Sequence, residues 1–150
     1  MFRDSDKAQK DMKYAQACLI FAKRLGLIED DSLEAVKQRC QAENDKRAQM
    51  LKEDAVFYGL TNFTFREYLE WEISKIKLDF VSESEQVKKA YSFREIPKKE
   101  IKTYYKNNRD LFTRYNGDRF PFRDLKQIIR KRIREEEFEN EIKNILRQLD

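Results

Sequence analysis

The chain has no histidine among its 150 residues, only three glycines and two prolines, and just two cysteines. Each scarcity excludes something. Without histidine there is no Ser-His or Cys-His nucleophile pair, and the commonest neutral-pH proton shuttle and metal ligand is missing. Cys18 and Cys40 cannot build a zinc site by themselves, and a disulfide cannot be assigned from their spacing. Both fall on apolar helical stripes and read as small buried hydrophobes. The phosphate-cradling patterns GxxxxGKS/T and GxGxxG are absent. No enzyme, cofactor or metal is expected. No apolar run approaches the ~20 residues that span a bilayer, and the charges scattered through the N-terminus leave no signal-peptide core. As written, the chain reads as soluble and cytoplasmic; a mature fragment of an exported protein would look the same.

What is present is charge and apolar surface in equal measure, 40% each. With so few Gly and Pro, that balance favours long amphipathic helices over a turn-rich sheet. A chain of this length is one ordinary domain and can bury a sizeable core. The fold class expected is all-α, a single domain over 1–150 with N-terminal helices over 1–81, a linker over 82–96 and C-terminal helices over 97–150. The 32 basic and 28 acidic residues leave a net charge of +4. They are interleaved, which permits an anionic partner without demanding one.

The stretch Phe57 to Phe80 concentrates aromatic side chains and holds the only tryptophan. Thr64 is a good N-cap, Glu67 three residues later completes a capping box, and Phe63 with Tyr68 would staple the helix start. Phe65, Leu69, Ile73, Ile76 and Phe80 then form one stripe, widened by Tyr68, Trp71 and Leu78. A helix apolar over more than one face needs neighbours on several sides, so this is read as the central helix. Before it, Tyr14, Cys18, Phe21 and Leu25 mark a helix over about 5–25, closed by Gly26 as a left-handed cap with Leu27 folding back. Asp31 with Glu34 opens a second helix to about Asp54, with a stripe of Leu33, Val36, Cys40, Asn44, Arg47 and Leu51. Two polar residues lie on that stripe. Either the helix is half exposed there, or Asn44 and Arg47 satisfy backbone carbonyls of the loop Ala55 to Phe63. Ser82 to Phe93 is a linker or a short helix. Pro97 suits the first position of a helix carrying Ile101, Tyr104, Tyr105, Leu111 and Phe112. Tyr115 to Asp118 is a turn by composition. Pro121 then opens the longest helix, whose stripe Phe122, Leu125, Ile129, Ile133, Phe138, Ile142, Ile145 and Leu149 weakens around Glu135 to Glu137. At 1.5 Å per residue it would be about 42 Å long, so part of it should project or wrap.

The series Glu43-Asn44-x-x-Arg47, Tyr58-Gly59, Phe63-Thr64 and Tyr68 resembles the N-terminal helical module of SurA-type chaperones and related parvulin-containing foldases (the PpiC type), most of all the secreted Gram-positive ones. Ile96-Pro97-x-x-Glu100-Ile101-x-x-Tyr104-Tyr105-x-x-Asn108-x-x-x-Phe112 resembles the segment that precedes the parvulin domain there, and Phe122 to Leu149 the helix that returns after it. In this chain only Thr113 to Pro121 joins the two, so the isomerase domain is absent. The resemblance implies a SurA-like helical bundle, its long C-terminal helix packed back on the N-terminal helices, with a chaperone role and without catalysis. It also implies an extracytoplasmic setting.

Eleven Phe, seven Tyr and one Trp exceed what a small domain easily buries, and exposed aromatics mark interaction surfaces. Phe57, Tyr58, Trp71, Tyr104, Tyr105 and Phe112 are the candidates for an aromatic groove that binds an unfolded or extended polypeptide client, with Asn44 and Arg47 as structural polar residues. Phe65, Phe21 and Phe138 read as core. Alternatively, the aromatic surface is a homo-oligomer or partner interface of an assembly protein. Nucleic-acid binding is the weaker reading. It would use Lys126, Arg130, Lys131, Arg132 and Arg134 beside Tyr115, Phe120 and Phe122, but the acidic run Glu135 to Glu137 would repel a phosphate track.

Overall fold

The computed structural model describes residues 2–53, 61–113 and 121–149, with the backbone alone for 2–5. Six α-helices and one 3-10 turn follow in order: α1 Phe2–Arg24, α2 Leu33–Lys52, α3 Phe65–Val81, α4 Glu85–Ala90, α5 Lys98–Asn107, the turn Arg109–Phe112, and α6 Phe122–Leu149. No β-strand occurs among the described residues. The turn expected at 115–118 lies outside them.

Local chemistry explains the boundaries. Gly26, at φ 75°, ends α1. Leu27 N–H reaches back to Ala22 O at 2.9 Å and Gly26 N–H to Lys23 O at 3.0 Å, a Schellman closure that consumes two orphan carbonyls. At α2 the cap is Ser32, one residue after the expected Asp31. Its hydroxyl accepts from Ala35 N–H at 3.1 Å, while Asp30 accepts from the Ser32 N–H at 2.8 Å. α3 starts with the capping box complete, Thr64 Oγ1 accepting from Glu67 N–H at 3.2 Å and Glu67 Oε1 from Thr64 N–H at 3.3 Å. The staple is also formed, with the Phe63 and Tyr68 rings 5.8 Å apart. The linker contains a short helix, α4, capped by Ser84. Pro97 is the N-cap of α5 rather than its first residue, because its ψ of 152° is extended.

α1, α3, α4 and the C-terminal half of α6 enclose one core around Phe21, Phe80, Phe138 and Ile142. α1, α2 and α3 enclose a second around Leu19, Val36, Cys40 and Tyr68. Ile96, Ile101 and Phe112 pack on Leu125, Ile129 and Ile133 of α6 in a third. The long C-terminal helix therefore packs back on the N-terminal helices and also carries α5. It manages both because its stripe breaks. Ile133 to Phe138 is a five-residue step, which at 3.6 residues per turn rotates the apolar face by about 140°. The weak periodicity at 135–137 is this change of face, and no bare length has to project.

Arg134 sits at the break, 3% exposed. Its guanidinium donates to Glu83 Oε1 at 2.8 and 3.0 Å, to Glu137 at 2.9 and 3.1 Å, and to Arg94 O at 2.7 Å. Arg94 in turn pairs with both oxygens of Glu100 at 2.7 Å and with Glu137 at 2.9 Å. Arg134 is thus not part of a basic solvent face. The network ties the α3–α4 turn, the linker, α5 and α6 together where the first and third cores meet. Leu51, Leu78, Leu111 and Leu149 are exposed, although spacing assigned them to apolar stripes. Leu51 and Leu149 lie in the last turns of their helices. Leu78 turns to the side of α3 opposite its packed neighbours.

Candidate functional site

The N-terminal halves of α1 and α3 bound a cleft. Ala8, Met12 and Ala15 recur on one face of α1, and Phe65, Leu69 and Ile73 on one face of α3. Two alanines opposite three large side chains leave a trough of about 710 Å³ between the helices. Its floor is apolar, and its rim carries both signs of charge through Lys7, Asp11, Arg66 and Glu70. Met12 is 37% exposed there, and a methionine fills irregular apolar space adaptably. The volume falls in the range of ligand pockets, and a trough between two helices suits an apolar peptide segment.

Tyr14, on the cleft wall, donates to Glu139 of α6 at 2.8 Å, and Lys77 of α3 donates to the same oxygen at 3.1 Å. Burial raises the Tyr14 hydroxyl pKa well above its ordinary value, and it stays a donor. Burial likewise pushes the neighbouring Cys18 thiol up to about 12. Cys40, also free and buried, is raised by burial too. Neither thiol is a nucleophile at neutral pH.

The four described aromatic candidates do not share one groove. Trp71 is half-buried against Phe63 and Tyr68, with ring centroids 5.3 and 5.6 Å away. The Arg47 guanidinium lies 5.3 Å and the Lys75 ammonium 4.4 Å from its centre. Tyr105 and Phe112 stack at 5.9 Å in the third core, and Phe112 is 4% exposed, a core residue and not a groove wall. Tyr104 donates to Glu136 at 3.1 Å in a charged hollow lined by α3, α5 and α6. Phe57 and Tyr58 lie outside the described residues, as do Tyr115 and Phe120. Phe65, expected in the core, is half-buried and lines the cleft instead.

Asn44 makes a two-way bond with the residue before the α3 cap: its Oδ1 accepts from Phe63 N–H at 2.7 Å, and its Nδ2 donates to Phe63 O at 3.0 Å. Arg47 pairs with Glu43 at 2.9 Å and covers the Phe63 ring at 4.5 Å. These two residues thereby hold the start of α3, one wall of the cleft. Sequence reasoning missed Ala8 and Met12. Their only signal was small and flexible residues at helical spacing ahead of the stronger stripe. It also missed Glu72, 7% exposed, whose carboxylate accepts from Arg39 at 2.7 Å. Among the described residues no group of three potential ligands could hold a metal ion, and no helix is long and apolar enough to cross a membrane.

No protein-family profile matches the chain. Over 73 residues, 49% of its length, it is 27% identical to a protein of Bifidobacterium longum subsp. longum named "Chaperone for lacto-N-biosidase", of which the matched stretch is 26%. Its fold is similar to part of the GH136 lacto-N-biosidase of Eubacterium ramulus, with a TM-score of 0.73 over 89% of this chain at 23% identity. The selenomethionine form of that enzyme gives the same TM-score over 91% of the chain. The match occupies 27% of the enzyme chain. The chain thus spans about a quarter of the length of each protein.

Proposed function

We propose that the chain is a non-catalytic, chaperone-like module whose client is a glycosidase of the GH136 lacto-N-biosidase type, and that the α1/α3 cleft holds an extended or helical segment of the incompletely folded client. The observation that carries the client is a coincidence of two likenesses. A chaperone named for lacto-N-biosidase is similar to this chain in sequence, and a lacto-N-biosidase chain contains this fold. A helical module that can accompany such an enzyme either as a separate protein or as part of its chain accounts for both. The apolar cleft supports the polypeptide part of the reading, because shielding apolar segments until they are buried is what an assisting module must do. The SurA-like motifs around Asn44 fit the same role, as an isomerase-free relative of that module. Binding is weak and broad, since the floor offers apolar contact and few fixed polar groups.

The test is co-expression of this chain with the catalytic chain of a GH136 lacto-N-biosidase. Soluble, active enzyme should increase several-fold, and Met12→Asp in the cleft should remove most of the gain. An enzyme yield unaffected by the chain, with no complex recovered from refolding mixtures, would sink the proposal.

A further inference from the structure

The chain's mild net charge hides a strong asymmetry. Residues 98–134 contain 13 Lys and Arg against 4 Asp and Glu, a net of +9 where the whole chain is +4, so the remainder is −5. The structure gathers this segment's described residues into one lobe, α5, the 3-10 turn and the N-terminal half of α6 around the third core. Lys98, Lys102 and Lys106 on α5, Arg109 in the turn and Lys131 on α6 are exposed. Among the described residues none of the five has a carboxylate in ion-pair range, whereas Arg94 and Arg134 at the lobe's edge are fully engaged. Unneutralised cations on one lobe sustain a positive potential that steers and retains an anionic partner. The same lobe exposes two large aliphatic side chains, Leu111 at 54% and Ile128 at 47%. Leu111 adjoins Phe112, whose ring lies 5.8 Å from the Arg132 guanidinium, and Arg132 is one turn along α6 from Ile128.

We propose that this lobe is a docking surface for an acidic face of a partner protein, with Leu111 and Ile128 as apolar anchors among its exposed cations. Apolar anchors framed by charge are the anatomy of a protein interface. A nucleic-acid strand would need exposed rings to stack on; among the described residues of the lobe, Tyr104, Tyr105 and Phe122 are half-buried and Phe112 is buried. Glu135 and Glu136 follow at once along α6, exposed, so the positive surface is bounded, fitting a patch rather than a continuing phosphate track. The surface lies on different elements from the α1/α3 cleft. It rests on the client reading only for the identity of its natural partner.

Binding of a fluorescent amphipathic Glu/Leu peptide tests it, with oligothymidylate and phosphatidylglycerol vesicles as competing probes. The peptide should bind more tightly than either probe and weaken as salt rises. The double substitution Lys102→Glu with Lys106→Glu should cost about tenfold in affinity. Leu111→Ser with Ile128→Ser should weaken binding while leaving the salt dependence unchanged. Tighter binding of the oligonucleotide or vesicles, no binding of the peptide, or binding indifferent to the lysine reversal overturns the proposal. All four side chains are exposed, and thermal melts of the variants, with Lys102→Gln and Lys106→Gln as a milder pair, check that the fold persists. Co-expression separates the two ideas. Peptide binding without a gain in enzyme overturns the client reading alone; an enzyme gain undiminished by the lysine reversal overturns the docking surface alone.

Discussion

Asn44 gives the Phe63 backbone both an acceptor and a donor, so one side chain closes two main-chain groups at the mouth of α3. Replacing it by Ala leaves both unpaired in a half-buried place, and the expected cost is about 1–3 kcal/mol, read as a lower urea midpoint with unchanged slope. Glu83 is the other instructive residue. It closes α3 in the left-handed region at φ 53°, where glycine is the usual occupant. Its carboxylate is what holds Arg134, so the strain and the ion pair are one feature. Glu83→Gly would relieve about 1 kcal/mol of backbone cost. It should nevertheless destabilise, because it removes a partner of a buried guanidinium; a Tm higher than the parent's would refute this coupling. Buried neutral groups also set an alkaline limit. Cys18 is pushed from its usual 9.0 to about 12, by burial and by the Glu139 carboxylate. Tyr68 and Tyr91 are raised from 10.0 to about 12, by burial first and then by Glu72 and Glu141. Above about pH 9 the unfolded chain loses these protons while the folded chain keeps them, so stability falls with rising pH. Urea melts should show the loss between about pH 9 and 12, reduced at its lower end in Cys18→Ser.

The elements were legible to different depths. α3 was read nearly whole, since Thr64, Glu67, Phe63 and Tyr68 act within one turn and need no distant partner. Thr64→Ala should therefore cost about 1 kcal/mol wherever the helix packs. The boundary at α2 moved by one residue because Asp31 and Ser32 could each cap, and that at α5 because Pro97 takes an extended ψ, which only the backbone angles reveal. The cleft was not legible. Its walls are halves of two helices more than fifty positions apart in the chain, and spacing alone says that Ala8 and Met12 share a face, not that Phe65 and Leu69 stand opposite with space between. Ala8→Leu should fill part of that space at little cost in stability, because Ala8 is exposed. It should lower chaperone activity in the co-expression assay.

On the scale of the whole molecule, α6 is a two-sided spine and Arg134 is the joint at its change of face. Arg134→Ala leaves Glu83 without its cation and Glu137 with Arg94 alone, and the expected loss is about 3–5 kcal/mol. Hydrogen exchange should rise first along the 83–101 segment and α5, with α1 to α3 less affected; uniform loss of protection would mean that the network is not a local joint. The sequence by itself determined the helical class, the end of α1 and the start of α3, most of each stripe and the lack of histidine chemistry, because these depend on residue type and on spacing within a few turns. Only the tertiary structure decided which stripes meet. It turned a weak stretch at 135–137 into a rotation of face and buried Arg134 among carboxylates. It also divided the described aromatic candidates between separate clusters and opened the cleft elsewhere. Each of those outcomes depends on contacts between residues far apart in the chain, and a side chain's partner across such a distance is set by packing, which periodicity does not encode.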